Sequence, residues 1–177
     1  ITFIDEIIGS GVSVLKLEGR GRSPEYVYTV TKVYREAINS CCKKEITKAK
    51  MDDWLKQFST VFNRGFWHGG YYLGKKLGEW SGAYGSIATK EKVQIGHVKN
   101  YYSKAKVAHI IVEAGKVSVG DEILFTGPTT GIVESKINNI FVNGQKSDSA
   151  RKGDEITIHL SKLVRKNDKF FIIKDKK

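Results

Sequence analysis

Hydrophobic and polar positions follow two different rhythms along this chain of 177 residues, and the change falls close to residue 90. Near the N-terminus Phe3, Ile4, Ile7 and Ile8 recur at helical spacing around Asp5 and Glu6, and Gly9 and Gly11 close the segment. From Val12 the period becomes two: Val12, Val14, Lys16 and Glu18 share one face, and Ser13, Leu15 and Leu17 the other. That alternation predicts a strand whose first face passes from aliphatic to charged, as an inward face does at the carboxyl mouth of an α/β barrel. After a basic glycine loop, Ser23 and Pro24 are a good N-cap and first helical residue, so a helix is expected from Pro24. Its apolar stripe is Val27, Val30, Tyr34, Ala37, Ile38 and Cys41. Lys43 to Lys50 reads as a solvated basic helix end. A third helix is expected with Asp52 and Asp53 near its start and Trp54, Leu55, Phe58, Val61 and Phe62 on one face.

Between Gly65 and Gly85, glycines interleave with Phe66, Trp67, Tyr71, Tyr72, Trp80 and Tyr84. Such a segment suits a long connector pinned down by aromatic side chains, and it also suits stacking of nucleobases. From Lys92 onward short alternating runs predict strands at Val93–Tyr101, Lys106–Glu113, Glu122–Phe125, Gly131–Val142, Glu155–Leu160 and Lys169–Lys174. Gly120-Asp121, Gly127-Pro128, Asn143-Gly144 and Gly153-Asp154 supply turns between them. Six strands with no intervening helix predict a small antiparallel β-barrel, in which closure removes exposed edges. The fold class expected is α+β: a helical and βα segment over residues 1–90, resembling the end of an α/β barrel, then a six-stranded β-barrel over residues 91–177. The single parallel strand lacks a crossover partner, so an upstream catalytic barrel of the same protein is the first partner expected, and a start at Ile1 fits the rear portion of a longer chain.

Charge adds a second class of partner. The formal net charge is +11, spread over both halves with a lysine-rich C-terminus, and such a surface attracts polyanions through counterion release. RNA is therefore a candidate partner, with Lys162, Arg165, Lys166 and Lys169 as candidate contacts. A lysine-rich surface also serves solubility alone. No run of about 18 apolar residues suggests a membrane span and no secretory leader is visible. The two cysteines, adjacent at Cys41 and Cys42, form neither a disulfide framework nor a spaced metal motif, so a cytoplasmic setting is the expectation. The orphan strand leaves room for pairing with a second copy of the chain.

The usual catalytic signatures are absent: no Gly-x-Ser-x-Gly elbow, no histidine pair at zinc spacing, no phosphate loop. His97, His109 and His159 fall within predicted strands as surface or satisfied residues, and His68 beside Trp67 has no acid or nucleophile at a telling spacing. Lys16, Glu18, Arg20 and Arg22 remain. Two arginines beside a capped helix N-terminus can hold a carboxylate or phosphate, and Glu18 can orient an arginine or handle a proton. Lys16, Glu18 and Arg20 are the candidate catalytic residues, and Arg22 with Arg64 the candidate anion- or substrate-binding pair. A local ion-pair network at a barrel rim accounts for the same charges without chemistry.

The same residues carry a resemblance. Leu15-Lys16-Leu17-Glu18-Gly19-Arg20, Tyr26-Val27, Tyr34-Arg35, Ala37-Ile38 and Asn63-Arg64-Gly65-Phe66, with Gly70 and Gly74, resemble peptidase family U32, the collagenase-like proteases. Ile95-Gly96-His97-Val98, Tyr101-Tyr102, Val119-Gly120-Asp121-Glu122-Ile123 and Gly127-Pro128-Thr129-Thr130-Gly131 resemble the family's C-terminal extension, a barrel like the second domain of elongation factor Tu. The loop departs from the usual pattern at Gly21 and Arg22. The resemblance implies the C-terminal portion of a peptidase, inactive by itself, whose barrel positions a protein substrate or RNA. The alternative it implies is a part of an enzyme of the same family hydroxylating tRNA or ribosomal RNA, with an iron–sulfur cluster on cysteines upstream of Ile1; the barrel and its basic tail also suit a non-catalytic RNA- or ribosome-binding module. No cofactor is assigned to the segment itself, because Cys41 and Cys42 match no ligand position.

Overall fold

The computed structural model describes residues 1–66 and 84–176. It divides into two compact units, Ile1–Lys90 with Lys176, and Glu91–Asp175. The aromatic connector expected at Gly65–Gly85, with His68, lies largely outside the described residues.

In the first unit, helices α1 (Ile4–Gly9), α2 (Pro24–Cys42) and α3 (Lys48–Ser59) surround a core of Ile4, Val33, Ala37, Trp54 and Phe58. Leu15, Val30, Tyr34, Ile46 and Met51 pack against it. Each fully buried large side chain there contributes on the order of 2 kcal/mol. The α2 stripe is rotated from the expected one: Val33 and Ala37 are its centre, while Val27 is 44% exposed. The third helix begins at Lys48, before Asp52 and Asp53, because Thr47 caps it by accepting the Lys50 N–H at 3.3 Å. Lys48–Lys50 thus open α3 and do not extend α2.

The strand expected at Val12–Glu18 is not formed. Residues 12–19 have no regular structure, Val14 is 81% exposed, and Leu15 from the opposite face enters the core. A β-strand needs an edge to pair with, and none of the described residues of this unit offers one.

The second unit is antiparallel. Its strands are β1 (Lys90–Tyr102), β2 (Val107–Val112), β3 (Lys116–Ser118), β4 (Glu122–Gly127), β5 (Gly131–Lys136), β6 (Ile140–Val142), β7 (Gln145–Ser147), β8 (Ser149–Arg151), β9 (Glu155–His159) and β10 (Lys169–Asp175). Eight form one sheet in the order β5-β4-β10-β1-β2-β9-β6-β7, and β3 pairs with β8. The fold is α+β as expected, but ten described strands replace six. The large sheet has end strands β5 and β7, so the ladders do not describe a closed barrel. Its core includes Ile95, Val98, Ile110, Val112, Phe125, Ile156 and Phe170, with Phe125 and Phe170 stacked at 5.1 Å.

One turn recurs three times at the head of a strand. Ser118–Asp121 precedes β4, Arg151–Asp154 precedes β9 and Arg165–Asp168 precedes β10. Each aspartate donates its N–H to the carbonyl of the first residue, at 3.2, 3.0 and 3.0 Å, and accepts that residue's N–H on its carboxylate, at 2.8, 2.8 and 2.7 Å. The third residue has positive φ, at Gly120, Gly153 and Asn167, as a type II turn requires. Each turn docks on one buried aliphatic residue: the third residue's N–H donates to the carbonyl of Ile137, Val112 or Val98, whose own N–H donates to the aspartate carbonyl.

The outer side of β1, β2 and β9 carries two carboxylate–histidine pairs. His97 Nδ1 lies 3.1 Å from Glu113, and Glu155 joins Lys99 at 2.7 Å to His109 at 2.9 Å. The Lys99 hydrogen bond first, then that of His109, holds the Glu155 carboxyl below the usual carboxylate range. A carboxyl lowered by folding stabilises fully above its unfolded pKa and loses that contribution as pH falls through the folded value. Glu155→Gln should therefore lower the urea midpoint of the second unit at pH 6, with the difference from wild type closing as both are titrated toward pH 3.

Candidate functional site

The loop before α2 and the loop after α3 bring Arg22 and Arg64 to the same aromatic ring. Gly19–Arg22 forms a turn closed by the Arg22 N–H on the Gly19 carbonyl at 3.0 Å, with Gly21 at φ 67°. Glu18 accepts the Arg20 N–H at 2.7 Å. The turn carries the Arg22 guanidinium to 3.8 Å from the Phe62 ring centroid and 5.9 Å from that of Tyr26. On the other side Asn63 ties the end of α3: its amide donates to Ser59 and Val61 carbonyls, and its oxygen accepts the Gly65 N–H at 3.1 Å. With Gly65 at φ 92° this bend places Arg64 6.0 Å from the same Phe62 ring.

The two arginines line a cleft of about 450 Å³. Its walls include Tyr26 and Tyr34 from α2, Leu55 and Phe58 from α3, and Phe3 and Phe66. Burial, then the nearby Tyr26, raises the Tyr34 phenol above its ordinary value, so at neutral pH it offers an O–H donor inside the cleft. Among the described residues neither arginine has a carboxylate partner. Two guanidinium forks on an aromatic floor suit a carboxylate or phosphate attached to an apolar body. Among the described residues no carboxylate, serine, histidine or cysteine lines the cleft.

Of the residues singled out in the sequence, the structure therefore brings together Arg22 and Arg64. Lys16, Glu18 and Arg20 are exposed and lie outside the cleft, Glu18 being engaged in the turn. Lys162, Arg165, Lys166 and Lys169 are exposed in the second unit, where Arg165 donates to Thr130 at 3.1 Å. Tyr26, Phe62 and Asn63 were not singled out as functional. Tyr26, Val30 and Tyr34 at i, i+4 and i+8, with Phe58 and Phe62 at i and i+4, were the available signal, and it is the same signal a buried core gives. Cys41 and Cys42 are consecutive on α2, half-buried and exposed. An iron–sulfur cluster is held by several converging thiolates or imidazoles, and among the described residues no such group gathers around these two.

Residues 1–82 match the sequence model of peptidase family U32. A collagenase of Porphyromonas gingivalis is 45% identical over 171 residues, which are 97% of this chain and 41% of that protein. An uncharacterized protease of Methanocaldococcus jannaschii is 33% identical over 90% of this chain and 39% of its own length. The tRNA hydroxylation protein P1 of Bacillus subtilis is 28% identical over 85% of this chain and 36% of its own length. The chain thus spans about two fifths of these relatives, and their similarity runs through both structural units. The match to peptidase family U32 thus spans the part of the chain that holds the cleft and both of its arginines.

Proposed function

We propose that the first unit is a substrate-anchoring wall of a U32-family enzyme, belonging to the rear of its catalytic domain. The observation that carries this reading is the Arg22–Phe62–Arg64 arrangement, with two cations facing one cleft and no carboxylate among the described residues to neutralise them. Lys16, Glu18 and Arg20 would face reacting groups supplied by the upstream barrel, and the β-unit would position the substrate. Similarity to a protein named collagenase favours a peptide carboxylate as the anchored group. Similarity to a tRNA hydroxylation protein keeps RNA phosphate as the second reading, with contacts at Lys162, Arg165, Lys166 and Lys169 and any iron–sulfur cluster upstream.

Two measurements test this. The chain alone should release no peptides from gelatin or casein, and turnover by it would overturn the assignment of a binding wall. In a protein that joins the chain to the rest of a U32 catalytic domain, Arg22→Ala with Arg64→Ala should lower kcat/KM by about 10–100-fold. That is the worth of a single charge-assisted hydrogen bond of about 1.5–3 kcal/mol. Unchanged kcat/KM on both a peptide and a tRNA substrate would reject the role of the cleft.

A further inference from the structure

A second hollow, of about 400 Å³, lies on a different part of the helical unit, between the C-terminal half of α2 and the start of α3. Lys32, Arg35 and Lys43 from α2 and its end, and Lys50 from α3, line it, together with Glu36, Asn39, Ser40 and Glu45. Four cations thus meet two carboxylates. Lys50 is held at 3.1 Å by Glu45 and its ammonium also reaches the Ser40 hydroxyl at 3.4 Å, while Lys32, Arg35 and Lys43 have no ion-pair partner among the described residues. Ser40 is only 6% exposed, a buried hydroxyl at the floor of a charged depression.

Helix electrostatics single out the same place. The N-terminal end of α3 is the positive end of its dipole, where acidic side chains stabilise and basic ones destabilise by about 0.3–1 kcal/mol each. Yet its first turn holds Lys48 and Lys50 and no acid. The first turn of α3 thus breaks the local rule, and a bound anion relieves it.

We propose that this hollow is a phosphate-binding site, in which Arg35 and Lys43 hold the phosphate oxygens beside Lys50 and the Ser40 hydroxyl. It is separate from the Arg22–Arg64 cleft and does not depend on that cleft's role. The phosphate belongs either to a free small molecule or to an RNA backbone, since the chemistry recognised is the same.

The test is amide-resolved NMR of the 177-residue chain at low salt, titrated with inorganic phosphate and, in a second arm, with a fluorescein-labelled 12-nucleotide RNA followed by anisotropy. Phosphate should shift the amides of Ser40, Lys43 and Lys50 with one common saturation curve. Arg35→Ala with Lys43→Ala, both at exposed positions, should weaken that binding at least tenfold while Lys146→Ala with Lys152→Ala, exposed on the second unit, leaves it unchanged. A parallel tenfold loss of RNA affinity in the first variant assigns the phosphate to RNA, and loss for phosphate alone assigns it to a small molecule. Shifts scattered over the lysine-rich surface without saturation, or equal phosphate affinity in wild type and the Arg35/Lys43 variant, overturn the proposal.

Discussion

Replacing Asp168 by alanine is expected to unfold the β-unit at a temperature about 10–20 °C below wild type. Asp168 is 3% exposed, and its carboxylate accepts the Arg165 N–H at 2.7 Å, the shortest of the three equivalent turn bonds. Its carboxylate also lies directly where a side chain on Gly127 would go, so this turn closes against the end of β4. Alanine leaves the Arg165 N–H without its acceptor and opens a polar void beside Gly127. Such a loss costs about 2–4 kcal/mol, and in a domain of this size each kcal/mol moves Tm by about 4–8 °C. Asp121→Ala and Asp154→Ala remove the same bond from more accessible turns and should cost about half as much. The readout can be separated by unit, because the three tryptophans, Trp54, Trp67 and Trp80, all precede residue 91. Far-ultraviolet circular dichroism at the β-sheet wavelength should shift in Asp168→Ala, while the tryptophan fluorescence transition should stay within a few degrees of wild type. An unchanged dichroism midpoint would show that the turn hydrogen bond carries no stability.

That turn also marks how far the sequence can be read. Gly120-Asp121 and Gly153-Asp154 announce themselves as turns, but Asn167-Asp168 is the same device with asparagine in the glycine's place, legible only once the repeat is known, because asparagine also tolerates positive φ. The longest predicted strand, Gly131–Val142, breaks between Lys136 and Ile140. There Ile137 gives both its N–H and its carbonyl to the Ser118–Asp121 turn and has neither left for a ladder. β3, β7 and β8 have three residues each, too few for a period of two to register. The opening alternation of Val12 to Glu18 was a true pattern with the wrong consequence, since periodicity specifies faces but not the existence of a neighbouring strand. In the site, charge was legible and geometry was not: Arg22 and Arg64 stood out, whereas Phe62, which joins them, resembles any other core aromatic. The resemblance to family U32 rested on these loops, and the match over residues 1–82 bears it out.

Gly96→Ala is expected to be the most damaging single-methyl change among the described glycines, at about 3 kcal/mol or more. Gly96 faces Val112 across the β1–β2 ladder, two residues before the register shift between Val98 and Asn100. A Cβ at this position would collide with the Ile111 carbonyl oxygen and approach the Val112 Cα to 3.3 Å. Both are backbone atoms of a central strand, so no rotamer change relieves the overlap and β1 must move away from β2. Overpacking of this kind costs about 1–3 kcal/mol where side chains can yield, and more where they cannot. Gly144→Ala is the informative contrast: it meets nothing within 4 Å, has φ 82°, and sits in the Asn143-Gly144 hairpin turn. It should cost only the left-handed backbone penalty of about 1–2 kcal/mol. Moving β1 has a second, chemical consequence. His97 and Lys99 ride on that strand and meet Glu113 and Glu155 on the far side of Gly96. If β1 shifts, the Lys99 bond that chiefly lowers the Glu155 carboxyl lengthens first. In Gly96→Ala the Glu155 carboxyl should therefore titrate closer to the ordinary glutamate value than in wild type, while in Gly144→Ala it should not move. Equal Glu155 titrations in all three proteins, followed by carbon-detected NMR, would show that the ladder accommodates the methyl group without displacing β1.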